Sequence, residues 1–228
     1  SGDAEQEYFS DGLTENLIAN LAKIGALKVT SRTSVMRYKR TEKPLREIAS
    51  ELGVDAVIEG SAQRSGDRVR ITAQLIDAKT DQHLWAETYD RPVADVLGLQ
   101  SEVAREIALQ IKVTVTPEQE SRLTSSRKVD PKVYEPYLRG RFYVSQNTPE
   151  SFEKGMKLLH EAVAIDPAEP LAYIGLAEGY VTLGHGGAEQ LDSFPRARAA
   201  AEQALKLDPN AAEAVGVLAD VALYYEWD

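Results

Sequence analysis

Apolar residues recur along the first part of the chain with two different periods. In "SDGLTENLIANLAKIG", Leu13, Leu17, Ile18, Leu21 and Ile24 fall on one face of a helix, the pattern a repeat of about 3.6 residues creates. Ser10 reads as its N-cap and Gly25 as its stop. "LKVTSRTS" then alternates, with Leu27, Val29 and Ser31 on one side, and predicts a short strand. In "KPLREIASELGV", Pro44 suits a first helical position. Leu45, Ile48, Ala49 and Leu52 form one stripe, and Gly53 suits a left-handed stop.

That last helix has the rhythm that opens a helix-turn-helix, which requires a second amphipathic helix whose first residues reach base edges. The chain does not supply it. Val57 and Ile58 are β-branched, Gly60 weakens any helix, and Ser65-Gly66-Asp67 is a turn signal. Val69, Ile71, Ala73 and Leu75 then alternate with Arg70, Thr72 and Gln74, and "HLWAETY" alternates again after "DAKTDQ". The prediction is a helix feeding an antiparallel three-strand meander. "DVLGLQSEVAREIALQI" returns to helix, with Leu99, Val103, Ile107 and Ile111 at every fourth position. The polar, Pro-bounded stretch that follows places a linker at 116–130, between an α/β domain at 1–115 and an all-helical domain at 131–228. The fold class is therefore α+β: a small α/β domain with a mixed sheet containing an antiparallel meander, followed by an all-α domain of helical repeats.

The helical part repeats itself. "EAVAIDPAEPLAYIGLAEGY" is answered by "EQALKLDPNAAEAVGVLADVAL", with Ala162 and Pro167 matching Ala204 and Pro209. After each Pro comes a fresh helix, carrying Tyr173, Leu176, Ala177 and Tyr180 in one copy and Val215, Leu218, Ala219 and Ala222 in the other. Small residues let two helices approach, and large ones fill the space to the next. These positions resemble the tetratricopeptide repeat (TPR). Residues 132–167 fit as a more degenerate copy, through Gly140, Tyr143, Gly155, Leu159, Ala162 and Pro167. The stretch "GHGGAEQLDSFP" is longer than an ordinary TPR turn and predicts a protruding loop over 184–195. The third copy breaks off after its first helix, which predicts an open apolar face around Val217, Leu218 and Tyr225 in a longer parent.

Composition narrows the chemistry. Of 228 residues, 43% are hydrophobic and 27% charged, with a net charge of −10, an ordinary globular balance. The acidity repels phosphate backbones, and Lys and Arg are interleaved with Asp and Glu, so nucleic-acid binding by this region is not expected. With no cysteine, disulfides, thiol catalysis and Cys-type zinc sites are excluded. No run spans a bilayer, and no signal segment stands at the start.

The segments "YFSDGLTENLIANLAKIGALKVTSRTS", "REIASELGVDAVIEGSAQRSGDRVRITAQLIDAKTDQHLWAETYDRP" and "LQSEVAREIALQI" together resemble a bacterial TolB-amino-terminal-like module of the kind that precedes TPR arrays. The resemblance implies a parent in which this pair follows a class III adenylate or guanylate cyclase, a winged-helix regulator or a Ser/Thr kinase domain, often beyond a transmembrane helix. It also implies an apolar strand before residue 1, without which a sheet edge is open to a partner strand. The side of a membrane on which such a region sits is left open.

No phosphate-binding loop or nucleophile elbow occurs. "GHGG" at 184–187 stands without a G-x-S-x-G turn. His83, His160 and His185 lie on a strand, a repeat helix and the long loop, without partners at metal-ligand spacing. Trp85 and Tyr89 share a strand face, the usual arrangement of a packed core. Catalytic, cofactor and metal residues are expected to be none, and the chain itself is expected not to be an enzyme.

The TPR resemblance implies a concave groove lined by the first helix of each repeat. In this sequence that puts Tyr137, Arg141, Ile174, Glu178, Val181, Gly216, Asp220 and Tyr224 there. Glu178 and Asp220 would repel a terminal carboxylate, so the groove is expected to take a protein or peptide segment with apolar and basic residues. The expected role is a regulatory and protein-interaction region of a bacterial signalling protein. The other partner is the effector domain of the same parent, and homodimerisation is left open. The competing readings are the C-terminal part of an adenylate cyclase or of a winged-helix transcriptional regulator.

Overall fold

Gly53 ends the helix that opens this reading, at φ 65°, a backbone conformation that suits a residue without a side chain. Its N–H and that of Val54 close back on Ser50 and Ala49, and the chain enters a strand, not a recognition helix. The computed structural model describes residues 4–113, 115–116, 128–186 and 190–226. It divides into two compact units, residues 1–128 and 129–228. Eleven of the fifteen positions predicted as linker, 117–127, lie outside the described residues, and Val129 is fully buried in the second unit.

In the first unit, helices α1 (Ala4–Ala22), α2 (Arg32–Met36) and α3 (Leu45–Leu52) precede strands β1 (Ala56–Ser65), β2 (Arg68–Asp77) and β3 (Gln82–Pro92). A 3-10 turn then leads into α4 (Val96–Gln110). The sheet is antiparallel, in the order β1-β2-β3. Alternation places Val69, Ala73 and Leu75 in the core and leaves Arg68 and Arg70 outside. Helices α1 and α4 supply the apolar layer through Phe9, Leu13 and Leu21 and through Leu99, Val103 and Ile107. Gly60 is required by its neighbour strand, since a Cβ there would lie 2.5 Å from the Thr72 carbonyl oxygen. Lys39 Nζ donates to both oxygens of the buried Asp11, at 2.6 and 2.8 Å, and ties α1 to the turn after α2.

Helix α1 begins well before Ser10, which lies inside it. The predicted strand at Leu27–Ser31 does not form: the segment is irregular and joins no ladder. Alternation alone produces an extended chain, and a strand also needs a neighbour to accept its backbone bonds.

The second unit is built from antiparallel helices α5 (Pro131–Val144), α6 (Pro149–Ile165), α7 (Pro170–His185), α8 (Gln190–Leu207) and α9 (Ala212–Val221), the last continuing as a π turn over Ala222–Glu226. Proline opens α5, α6 and α7, where its missing N–H costs nothing. Thr148 and Ser151 form a capping box at α6. The two Asp-Pro corners are made alike. Asp166 Oδ1 accepts from Ala168 N–H at 2.9 Å and Asp208 Oδ1 from Asn210 N–H at 3.0 Å, while their own N–H groups close on Ala162 and Ala204.

The loop predicted over 184–195 is largely helix. Helix α7 runs to His185 and α8 starts at Gln190, leaving only 186–189 between them, of which 187–189 lie outside the described residues. Pro195 lies inside α8 as its sixth residue, past the free N–H groups of the first turn, so the helix forms there at the cost of one backbone bond. His185 accordingly ends a helix.

Helices α5 and α6 approach too closely for side chains at two glycines. A Cβ on Gly155 would lie 2.7 Å from the Gly140 carbonyl oxygen and 2.8 Å from Val144 N. One on Gly179 would meet only the flexible Met156 thioether. Gly155→Ala is therefore expected to destabilise the second unit by about 1–3 kcal/mol, against a far smaller loss for Gly179→Ala, measured by chemical unfolding. In the first unit, burial pushes the Tyr89 phenol up from 10 to about 12, the Glu102, Glu106 and Glu87 carboxylates adding to the rise. Below the unfolded value both states hold the neutral phenol. As pH climbs toward the folded value only the unfolded chain ionises, so stability is lost over that window. Tyr89→Phe should remove that loss, retaining about 2–3 kcal/mol relative to wild type above the window, as urea unfolding across alkaline pH would read.

Candidate functional site

The eight groove positions lie on α5, α7 and α9, spaced by about one helical turn within each. The structure separates them into two groups. Tyr137, Ile174 and Val181 are buried, at 1%, 3% and 8% exposure, and serve packing between helices. Gly216 stands in open space, Asp220 is half-buried, and Tyr224 is exposed.

Arg141 and Glu178 join α5 to α7. Arg141 Nε lies 2.9 Å from Glu178 Oε2, and Nη2 donates to Oε1 at 3.3 Å. Arg141 Nη1 also donates to the Tyr137 hydroxyl at 2.9 Å, and its guanidinium lies over the Tyr137 ring. A two-point Arg–carboxylate pair of this kind fixes orientation as well as charge. The acidity read into Glu178 from the sequence is thus answered inside the protein, and among the described residues no ion pair of this kind holds Asp220.

Beside α9 the structure brings Phe194, Arg198 and Glu226, which no sequence motif marks, together with His185, Tyr224 and Tyr225. The His185 ring meets Tyr224 edge-on at 4.7 Å and Phe194 at 5.6 Å, and Tyr225 lies 5.8 Å from Phe194. Arg198 of α8 pairs with Glu226. The aromatic residues on either side of 186–189, His185 and Phe194, are the sequence signal for this cluster. The predicted open face moves as well: Val217 is buried and Tyr225 half-buried, while Val215, Leu223 and Tyr224 are exposed. Among the described residues no three His, Asp or Glu side chains are grouped to hold a metal ion, and no helix is long and apolar enough to cross a membrane.

The chain is similar to signalling and regulatory proteins. It is 41% identical over 177 residues to the protein named "Putative adenylate cyclase 3" of Rhizobium meliloti (strain 1021), a match covering 78% of this chain and 30% of that protein. It is 34% identical over 83 residues to the transcriptional regulator HilA of Salmonella typhimurium and of Salmonella typhi, 36% of this chain and 15% of theirs. The chain thus spans less than a third of the length of these relatives. No protein-family model matches it. The 177-residue likeness is longer than either unit, so it takes in residues of both.

The Arg141–Glu178 contact is partly shielded, with side chains 15% and 30% exposed. A double-mutant cycle on Arg141→Met and Glu178→Gln should return a coupling of about 1–2 kcal/mol in the unfolding free energy, and a coupling near zero would reduce the pair to a surface contact.

Proposed function

We propose that this chain is a non-catalytic regulatory and protein-interaction region of a bacterial signalling protein. In this reading the helical unit is a TPR-type scaffold whose groove binds a partner segment, and the α/β unit is a TolB-amino-terminal-like docking or sensing module. The supporting observation is the Arg141–Glu178 pair. It cancels the central groove charge and leaves Asp220 with the exposed Tyr224 ring as the points a ligand can engage. A carboxylate beside an aromatic ring suits a segment carrying a Lys or Arg next to an apolar side chain.

The likeness to a protein named as an adenylate cyclase supports a second reading, in which the parent makes cyclic AMP with a domain outside this chain and uses this region for control. The likeness to HilA supports a transcriptional-regulator parent in the same way. All three readings give this chain the same duty, which is to bind and report.

Two measurements test the proposal. Purified 228-residue chain incubated with ATP and a divalent cation should form no cyclic AMP, and formation above a no-protein control would sink the non-catalytic reading. A peptide library displayed on phage should yield ligands enriched in Lys or Arg beside an apolar residue. Asp220→Lys with Tyr224→Ala should weaken the best of them about tenfold or more, and an unchanged affinity would remove the groove assignment.

A further inference from the structure

Strand β3 is an edge of its sheet. It pairs with β2 on one side, and among the described residues no strand lies on its other side. An edge strand presents a row of backbone N–H and C=O groups that a further strand can complete. The two elements that flank β3 in the chain, β2 and α4, are both in place, and α1 lies on β1, at the opposite side of the sheet. The pairing with β2 slips once, between Leu75 and Ile76, which leaves Leu84 without a partner position. Over residues 85–91 it runs without interruption, and Pro92, which has no N–H, closes the usable stretch.

Helix α4 packs against β3 and decides which side chains a newcomer meets. Trp85, Glu87 and Tyr89 alternate onto one face of β3, and Tyr89 is buried there. Arg91 Nη2 lies 3.8 Å from Glu102 Oε1 of α4, and the Glu102, Glu106 and Glu87 carboxylates all act on the Tyr89 phenol. The helix therefore stands over the Tyr89 face. Glu102, Glu106 and Leu109 follow one another by four and three residues, which places them on one side of α4, while Ala104 and Ala108 on the opposite side are fully buried. Glu87 and Leu109 are exposed, the leucine at 62%, and Glu102 and Glu106 are half-buried. The open edge is thus bordered by three carboxylates and an exposed leucine, with Arg91 as the cation beside them.

We propose that β3 takes an added strand from a partner protein, an extended segment with Lys or Arg at alternate positions on the side toward α4. Alternation is required because neighbouring residues of a strand point to opposite faces, so only every second side chain meets Glu87, Glu102 and Glu106. Main-chain bonds to residues 85–91 hold the segment, and the carboxylates select it. A second copy of β3 is a poor occupant, since two-fold pairing brings these carboxylates toward their own counterparts. The surface shares no residue with the groove, and neither depends on the other.

The test uses a labelled octapeptide alternating Thr and Lys against the full chain. Fluorescence anisotropy should give saturable binding that weakens with added salt, and hydrogen exchange should slow at the amides of residues 85–91 when the peptide is present. Glu87→Lys and Glu106→Lys should each weaken binding about tenfold or more, with circular dichroism unchanged because neither side chain is buried. Replacing two Thr of the peptide by Pro keeps its charge but removes backbone donors, and should abolish binding. Tyr224→Ala should leave it within a factor of about two, whereas it should impair the groove ligand, so the two surfaces fail separately. No saturable binding up to about 1 mM, equal binding by the Pro peptide or by Glu87→Lys, or binding that leaves the amides of residues 85–91 unprotected overturns the proposal. So does a doubled mass in light scattering that Glu87→Lys abolishes, which would assign the edge to a second copy.

Discussion

The corner at each Asp-Pro pair is the constraint on which the helical unit depends. A helix ending at Ile165 or Leu207 has to reverse within a few residues, and its last carbonyls and the next helix's first N–H groups need partners there. Asp166 and Asp208 hold the connecting turn in the same way, each side chain accepting from the N–H two residues on, before the next helix begins. The backbone then closes to Glu169 and Ala211. Because the corners are alike, the helices that leave them start in the same rotational setting. That is why Gly175 and Val217, different in size, are both buried at matching places.

Close approach is the second requirement, and it limits which residues can carry charge. Where α5 meets α6 the glycines at 140 and 155 bring backbone to backbone, and the side chains left between α5 and α7 are nearly all apolar. Arg141 is the exception. Placing a guanidinium there without a counter-charge would carry the cost of a poorly solvated cation, and Glu178 with the Tyr137 hydroxyl offsets it. The pair thus belongs first to the scaffold. In the proposed groove its part is indirect, because a carboxylate already paired with Arg141 is not offered to a ligand.

Local rules were legible wherever one residue decides one conformation. Gly53 and Gly66 are of that kind, and so is β2, whose alternation matches its burial. What the sequence did not disclose depends on neighbours. Leu27, Val29 and Ser31 alternate as a strand does, but no ladder receives them. Gly184, Gly186 and Pro195 look like loop punctuation, although Gly184 is small because Phe194 packs on it and Pro195 lies inside α8. The open face was sought at Val217 because motif positions name large and small residues without saying which neighbour covers them. Among the eight positions assigned to a groove, repeat register alone could not tell Tyr137, which is buried, from Tyr224, which is not.

The same distinction between intrinsic and neighbour-dependent features separates two open surfaces of this chain. On α9, Val215, Ala219 and Leu223 are exposed. Repeat register matches Ala219 and Leu223 to Ala177 and Val181, which are buried where α7 packs on α8, so their exposure describes packing and carries no information about a partner. Strand β3 is different, because its open edge is intrinsic to the meander. Three strands in a row leave two edges, and helices laid on the face of a sheet do not supply the missing backbone bonds. Whether such an edge is a liability or a site depends on the side chains beside it. Glu87, Glu102 and Glu106 set a like charge against a second copy of the same edge and an opposite charge toward a basic strand. One set of carboxylates thus guards the edge against self-pairing and specifies what can occupy it.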